Sequence, residues 1–343
     1  MNKYELFNAI MERRSTQCGF WHGNPHPESN AGLFKYFGVE NDFELGLKLG
    51  DTFTWIPDGW GAYKHPNGDG VFDIYKDRDI PHINDISDDE VDLIDQLNWG
   101  AAQYYDFSGF ARARDMAREH GIPIASGAWA PFYHNAAGMF GMENYFVKMH
   151  TDPAVVTAVT KKLVDFYLAM NKKLFDEYLS DKSDSETPAI SACFFGNDFG
   201  TQLDLMISPE MFNKFVMPYQ KQISDQAKTY GLYTMLHSCG SVIRVIPDMI
   251  DAGLDGLHPI QALAVGMDAE NLAEKFKDKI VFIGGVDTQV LLREGTAKQI
   301  KEDVRRLKRL FGHNFIVSPS HEAVLPDVPP ANLAALAEAV WED

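Results

Sequence analysis

From residue 122 onward, short apolar runs alternate with longer stretches of helical periodicity. Strands separated by helices indicate parallel βαβ units, because a parallel pair of strands needs a long crossover connection. Eight predicted strands span 18–21, 52–56, 122–126, 189–195, 232–236, 254–258, 280–284 and 315–318. Eight is the number that a closed parallel barrel requires, so we predict one (β/α)8 TIM barrel domain over residues 1–343.

The helical patterns have recognisable starting signals. Asp152-Pro153 and Ser208-Pro209 each place a capping side chain before a proline that suits the first helical position. The polar residues 181–187 are expected to end the longest helix. The predicted helices span 107–120, 152–180, 208–231, 241–252, 268–277, 296–311 and 330–341.

The first 105 residues carry less regular patterning than the rest of the chain. They begin with an amphipathic helical stretch and are rich in aromatic residues, glycine and proline. We expect this irregular N-terminal region to add long loops, a lid or a partner surface to the barrel.

The bulk properties exclude several classes of function. The 343 residues carry a formal net charge of -18, which disfavours binding to nucleic acid. The sequence contains no apolar run of 18 residues and no apolar segment of the kind that signal peptides carry, so we expect no membrane span. Three well-separated cysteines suit a reducing cytoplasm better than a disulfide framework.

The segment LHSCG places His237 and Cys239 two residues apart where a predicted strand passes into a helix. In a (β/α)8 barrel that end of the strand belongs to the active-site face. Imidazole nitrogen and thiolate sulfur together suit zinc. We therefore predict that both residues bind zinc, with a capping histidine beside a buried thiol as the purely structural alternative.

Other polar residues follow the remaining strands and are expected at the same mouth. His321, in SPSHE after the last strand, is our candidate third metal ligand, although it could also be a turn residue. Gln261 is a candidate fourth ligand through its amide oxygen. Water, Glu322 or the substrate would otherwise fill the open position that catalytic zinc retains.

Two aspartates are candidate catalytic residues. Asp198 follows the strand at 189–195, and Asp287 follows two glycines that allow close approach of a ligand. The structural alternative for Asp198 is a helix cap or a turn, and for Asp287 it is a turn. His22, Trp129 and Asn197 also follow strands, and we predict that they contact a cofactor.

Four segments carry a resemblance to a known family. They read FFGNDFGTQLDLMISPEMFNKFVMP, LHSCGSVIRVIPDMIDAGLDGLHPIQ, FIGGVDTQVLL and SPSHEAVLPDVPPANLAAL. They resemble the uroporphyrinogen decarboxylase superfamily over about residues 105–343, and look closest to its corrinoid-dependent methyltransferase branch. The resemblance implies a (β/α)8 barrel with its active site at the mouth and, in that branch, a zinc ion held by a His-x-Cys pair and a later cysteine.

Several positions depart from these patterns. The decarboxylases carry an arginine-bearing motif of the type MRQAGRY, whereas this chain reads CGFWHGNPHPES there. His237 and Cys239 match the zinc pair of the methyltransferases, but His321 stands where they have the later cysteine. Gln261 falls near a position at which related enzymes carry a carboxylate.

The resemblance implies a zinc-dependent methyltransferase that moves a methyl group between a small methylated compound or thiol and a corrinoid (cobalamin) protein. The corrinoid would be carried by a partner protein, since no D-x-H-x-x-G motif is present. A homodimer is also common in this superfamily. Two alternatives remain open: a decarboxylase-like lyase acting on a tetrapyrrole or another acidic substrate, and a non-catalytic corrinoid- or tetrapyrrole-binding protein.

Overall fold

The computed structural model describes residues 1–75, 80–179 and 188–342. Eight parallel strands form one curled sheet in which neighbours along the chain pair with each other from β2 to β8, and β1 pairs with β8. Every predicted strand is confirmed, with ends shifted by up to three residues. The strands are β1 Gly19–Phe20, β2 Thr54–Pro57, β3 Ile124–Gly127, β4 Ala192–Gly196, β5 Tyr233–His237, β6 Gly256–Ile260, β7 Val281–Val286 and β8 Phe315–Pro319.

Thr52 closes the sheet into a barrel between β1 and β2. Its backbone N–H donates to the carbonyl oxygen of Phe20 at 2.8 Å, and its hydroxyl oxygen accepts from the Phe20 N–H at 2.9 Å. The threonine therefore supplies both hydrogen bonds that a neighbouring strand would otherwise make, which removes the open edge of the sheet. The carboxyl ends of all eight strands consequently surround one mouth.

Helices follow the strands as the βαβ pattern predicts. Two predicted helices differ from the structure. The predicted helix 208–231 is two helices that meet at Val216, two residues before Pro218. The predicted helix 241–252 is α-helical only over Ile246–Asp251, after the 3-10 helix Ile243–Val245. The end of the predicted helix 152–180 and the polar residues 181–187 lie outside the described residues. The α-helices are Lys3–Met11, Pro27–Phe37, Asp42–Leu49, Ser108–Glu119, Phe132–Phe140, Met142–Thr151, Pro153–Leu179, Pro209–Phe215, Met217–Thr229, Ile246–Asp251, Ala269–Phe276, Leu291–Glu294, Ala297–Phe311 and Pro330–Trp341. Short 3-10 helices span Asp58–Trp60, Asp88–Gln96, Ala102–Tyr104 and Ile243–Val245.

Aromatic side chains fill the barrel interior. Trp21 packs against Phe53 and Phe194, with ring centroids 5.1 and 5.9 Å away. At the opposite end from the mouth, Phe7 of the N-terminal helix packs against Phe53 and against Tyr233 at the start of β5. The first helix therefore plugs the amino-terminal end of the barrel with apolar surface.

The irregular N-terminal region packs mainly on the outside of the barrel. After β2, the described chain runs through a two-stranded antiparallel ribbon, Ala62–Tyr63 with Tyr105–Asp106, and through short 3-10 helices. Phe72 packs against Phe166 of the long helix Pro153–Leu179 at a centroid distance of 5.1 Å. The described part of this segment thus packs on an outer helix. These contacts do not support the expectation that the segment forms a lid over the mouth.

None of the helices in the described ranges is long and apolar enough to cross a lipid bilayer.

Gly196 is the last residue of β4. Glycine is required at this position because the ring of Trp129 occupies the space that a side chain would need. A Cβ atom added to Gly196 would overlap the indole ring. The Gly196 N–H also donates to the Trp129 carbonyl oxygen at 2.7 Å. This close approach holds the Trp129 ring across the mouth, 5.3 Å from the ring centroid of His237.

We expect Gly196→Ala to lower the free energy of unfolding by about 1–3 kcal/mol, because the new methyl group must displace a packed indole ring. Urea denaturation would measure this change. Gly138→Ala is the matched control, because Gly138 is exposed in a helix with nothing within 4 Å of an added Cβ. That control should be neutral or stabilising, and equal effects of both substitutions would contradict the packing argument.

Candidate metal centre

The LHSCG segment turns sharply at Gly240, and this turn directs the preceding side chains into the mouth. Gly240 has φ 85°, and an added Cβ would overlap the backbone of Gly200. The turn therefore requires glycine at this position. The Gly240 N–H donates to the side-chain oxygen of Gln261 at 2.6 Å, which ties the turn to the loop that follows β6.

Cys239 is the centre of the cluster. Its Sγ lies 3.4 Å from Nε2 of His237. Ligand atoms on a tetrahedral zinc ion lie roughly 3.3–3.7 Å apart, given metal–ligand distances of about 2.0–2.3 Å. Potential ligand atoms of Cys239 lie within 4.8 Å of those of Asp198 and His237 on one side, and of His321 and Glu322 on the other. The sulfur is therefore shared by two overlapping groups of donors.

His237 and His321 approach the sulfur from different directions. Their ring centroids are 6.4 Å apart and their planes are nearly perpendicular, at 89°. Two imidazoles on one tetrahedral zinc would have centroids roughly 5 Å apart, so a common metal ion requires the rings to approach by about 1 Å. His321 is half-buried in a loop, where its Nδ1 accepts a hydrogen bond from the Ala323 N–H at 3.0 Å.

The charges around His237 favour a cation. Burial alone would lower the pKa of His237, but its hydrogen bonds with Asp198 and Cys239 and the charge of Glu322 raise it well above the ordinary value. Burial would likewise raise the pKa of Asp198, yet the hydrogen bonds from His237 and the Cys239 N–H hold it well below its usual range. The carboxylates thus stabilise positive charge at this point, as they would beside a metal ion.

Glu322 carries the strongest indication that the site fits a metal. Its Oε2 is buried without a hydrogen-bond partner among the described residues. The same oxygen lies 3.5 Å from Nδ1 of His237 and 3.5 Å from Nδ1 of His321. A buried, unpaired carboxylate oxygen is costly, and a cation between these groups would remove that cost.

Gln261 uses its side-chain oxygen to hold a backbone turn. Its Oε1 accepts the 2.6 Å hydrogen bond from the Gly240 N–H. A neutral amide oxygen is also a weaker zinc ligand than the carboxylate of Glu322. The structure therefore gives Gln261 the role of holding the LHSCG turn, and we do not retain it as a fourth ligand.

Asp287 stabilises a local turn. Its two carboxylate oxygens accept hydrogen bonds from the backbone N–H groups of Gln289, Val290 and Leu291, each at 2.9 Å. These N–H groups belong to the turn that leads into the helix Leu291–Glu294 and to its first residue. Since all three bonds are local, the turn alternative describes Asp287 better than a catalytic one.

Asp198 and Trp129 contact the candidate metal ligands, whereas the Asn197 side chain bonds to backbone groups outside the cluster. Asp198 Oδ1 accepts from the Cys239 N–H at 2.8 Å and lies 3.3 Å from Nε2 of His237. The Asn197 side chain instead accepts from the Tyr133 N–H at 3.0 Å and donates to the Ala130 carbonyl at 2.9 Å. Because this buried amide is fully engaged, we do not retain Asn197 as a cofactor-contacting residue.

His22 is part of a separate buried ion pair. Its Nδ1 lies 2.6 Å from Asp51 Oδ2, and its Nε2 lies 3.1 Å from Asp42 Oδ1. Burial alone would lower the pKa of His22, but the two carboxylates raise it to about 10. With both ring nitrogens occupied, His22 has no atom free for a cofactor.

Glu322 and His258 are the residues of this centre that sequence reasoning undervalued. The sequence suggests Glu322 only as one of several groups for the open position, and it assigns no role to His258. His258 Nδ1 lies 3.0 Å from His237 Nδ1. The only signal in the sequence is that each follows or ends a predicted strand, and this does not show which side chains meet.

A cavity of about 390 Å³ opens beside His321, between the loops that follow β6, β7 and β8. This volume is within the range of small-molecule sites. Its lining combines polar and apolar side chains: Gln261, Thr288, Gln289, Ser320, Leu325 and Val328. The arrangement provides room for a small substrate next to the cysteine and histidine cluster.

An eight-stranded parallel barrel with a cysteine, histidine and carboxylate cluster at its mouth defines a class of (β/α)8 protein with a candidate catalytic metal site. Comparison with known families is consistent with that class. The family model for uroporphyrinogen decarboxylase (URO-D) matches residues 73–342, and the chain belongs to this family. The resemblance found in the sequence is thereby confirmed at the level of the superfamily.

Relatives of both activities resemble this chain. It is 24% identical over 217 residues to the methylcobamide:CoM methyltransferase MtbA of Methanosarcina acetivorans, covering 63% of this chain and 57% of that protein. It is 29% identical over 143 residues to the uroporphyrinogen decarboxylase of Chlorobium limicola, covering 40% of this chain and 39% of that one. The aligned part thus spans about half the length of these relatives, or less.

A solved structure shares the fold over nearly the whole chain. A methyltransferase from Methanosarcina mazei superimposes with a TM-score of 0.65 at 16% identity, covering 99% of this chain and 98% of the other. This likeness confirms the (β/α)8 barrel.

We expect Asp287→Ala to destabilise the protein by roughly 0.5–1.5 kcal/mol, because three turn N–H groups lose their acceptor. Asp287→Asn should retain most of the stability, since an asparagine oxygen can accept the same local hydrogen bonds. Chemical denaturation of the two variants tests this. Unchanged stability in Asp287→Ala would contradict the turn-stabilising role.

The His22 ion pair predicts a pH dependence of stability. With a folded pKa of about 10 and an ordinary value of 6.5, its contribution is fully present below pH 6.5 and is lost as the pH rises towards 10. Relative to His22→Gln, the wild type should lose on the order of 1.4 kcal/mol per pH unit across this interval. Denaturation between pH 6 and 10 measures the slope. Substitution of the exposed His313 by Gln should leave the slope unchanged, and a wild-type slope equal to that of His22→Gln would contradict the ion pair.

Proposed function

We propose that this chain is a zinc-dependent methyltransferase of corrinoid-linked one-carbon metabolism, formed as a single barrel domain. It would move a methyl group between a small methylated compound or thiol and a corrinoid protein. The observation that carries this proposal is the 3.4 Å approach of Cys239 Sγ to His237 Nε2, with His321 facing the same sulfur. Similarity to the methyltransferase MtbA supports the methyl-transfer reaction.

His237, Cys239 and His321 would hold the zinc ion. Glu322 is the candidate for the remaining position when no substrate is bound, because its buried Oε2 lacks a hydrogen-bond partner among the described residues and its carboxylate lies within 4.8 Å of the ligand atoms of Cys239 and His321. When bound, zinc supplies a Lewis acid that lowers the pKa of a thiol or stabilises a departing heteroatom.

The surrounding residues would prepare the site for this chemistry. Asp198 holds the Cys239 backbone and contacts His237, and it can orient the substrate or accept a proton from it. Trp129 shields His237 from one side. The cavity beside His321 has room for a small methylated compound or thiol. The corrinoid would be delivered to the open mouth by a partner protein.

We expect wild-type protein, purified without chelator, to contain about one zinc ion per chain. Cys239→Ser should lose most of this zinc, because serine replaces the thiolate with a hydroxyl group that ionises far less readily. Metal analysis by mass spectrometry measures the ratio. Cys193→Ala is the matched control, since Cys193 is fully buried in β4 and is expected to leave the zinc content unchanged. Absence of metal from the wild type would refute the proposed mechanism.

Methyl transfer can be measured directly with free cobalamin. Wild-type protein with methylcobalamin and a panel of small thiols should change the visible spectrum as the cobalt loses its methyl group. Cys239→Ser should reduce the rate of methyl transfer by more than 10–100-fold, which is the loss typical of removing only an outer-shell partner of the metal.

Two other results would favour the alternatives. Release of CO₂ from a porphyrinogen, without methyl transfer, would identify a decarboxylase-like lyase. A cobalamin spectrum that shifts on binding, with no turnover of any methylated compound or thiol, would identify a corrinoid-binding protein.

A further inference from the structure

His258 is a buried histidine that the proposed ligand set leaves unexplained. It lies in β6, directly opposite His237 of β5 in the parallel register. The two Nδ1 atoms are 3.0 Å apart, which is hydrogen-bonding distance. Two imidazole nitrogens at this separation share one proton, because two N–H groups would repel and two lone pairs would leave no hydrogen between them.

We propose that His258 is a positioning residue for the metal centre. Its Nδ1 accepts a hydrogen bond from the Nδ1–H of His237, and this fixes the His237 tautomer in which the Nε2 lone pair points towards Cys239. The inference rests on the proposed function, since it assigns His237 Nε2 to the metal. Histidine ligands commonly donate their second N–H to a carboxylate, carbonyl or water. Here a second imidazole takes that place.

Packing holds the His258 ring in one orientation. The residue is fully buried, and its ring is in contact with Trp21 and Phe194 at centroid distances of 5.0 and 5.7 Å. The residue after β5 fixes the backbone of β6 at this point, because the Ser238 N–H donates to the His258 carbonyl at 2.7 Å. A ring held by its packing and carried on a fixed backbone transmits its orientation to the histidine bonded to it.

The second ring nitrogen of His258 makes histidine costly at this position, so stability alone does not account for the residue. His258 Nε2 is buried and has no hydrogen-bond partner among the described residues. When Nδ1 is the acceptor, the neutral ring carries its proton on Nε2, which faces aromatic rings and gains at most a weak N–H···π contact. A buried polar group with one unsatisfied atom calls for a reason, and the bond to His237 supplies it.

Glu322 is the competing acceptor for the same proton. Its Oε2 lies 3.5 Å from His237 Nδ1, further away than His258 Nδ1 at 3.0 Å. That oxygen also lies 3.5 Å from His321 Nδ1. With His258 accepting from His237, Glu322 is free to neutralise charge between the two imidazoles.

Two substitutions separate the hydrogen bond from the shape of the ring. His258→Phe keeps an aromatic ring in the aromatic interior but cannot accept, whereas His258→Asn can place an amide oxygen near the position of Nδ1. We expect zinc affinity, measured by competition with a chromophoric chelator, to fall about 10–100-fold in His258→Phe. His258→Asn should remain within a few-fold of the wild type. The visible absorption of the cobalt(II)-loaded protein should change in His258→Phe and resemble the wild type in His258→Asn.

The outcomes distinguish this inference from the proposed function. Wild-type protein that binds neither zinc nor cobalt would overturn both. Wild-type protein that binds metal, together with equal affinity and an equal cobalt spectrum in His258→Phe, would overturn the role of His258 alone. If His258→Phe does not fold, nitrogen NMR of zinc-loaded wild type labelled at histidine decides the question. A proton on Nδ1 of His237 and on Nε2 of His258 supports the inference, and a proton on Nδ1 of His258 overturns it.

Discussion

The parallel pairing of β5 with β6 is the constraint on which the candidate centre depends. It sets His237 opposite His258 and ends both strands at the same mouth. The turn at Gly240 then returns Cys239 towards His237, and its φ of 85° is one that only glycine adopts without strain. Because these contacts are built from strand register and a tight turn, the sheet and its adjoining turn position the cysteine and the two histidines.

The negative charges around His237 are the reason for proposing a bound metal ion. Asp198 and Glu322 approach the His237 ring from two sides, and Glu322 keeps one buried oxygen without a partner among the described residues. Such an arrangement favours a bound cation over a neutral site. The half-buried His321 lies near the same sulfur in a loop, so the centre combines donors from the sheet with one from a loop.

Membership of the URO-D family is consistent with more than one reaction. The family contains relatives named as decarboxylases and as methyltransferases, and the similarity to each is low. Family membership therefore supports an enzyme without naming its reaction. The site adds an argument for a metal ion, because a thiol and two imidazoles lie near one another beside a cavity of small-molecule size.

The sequence alone predicted the barrel, because it placed eight apolar strands between helices and eight parallel strands are the number that closes a barrel. It also predicted His237, Cys239 and His321 as metal ligands, since polar residues after parallel strands share one face. It could not tell Asp287, which stabilises a turn, from Asp198, which contacts His237, because both follow strands in the same way. Nor could it show that Gln261 is engaged by Gly240, that Glu322 is left unpaired, or that His22 pairs with Asp51. Those outcomes depend on which side chains meet across loops distant in sequence, and only the tertiary structure brings the loops together.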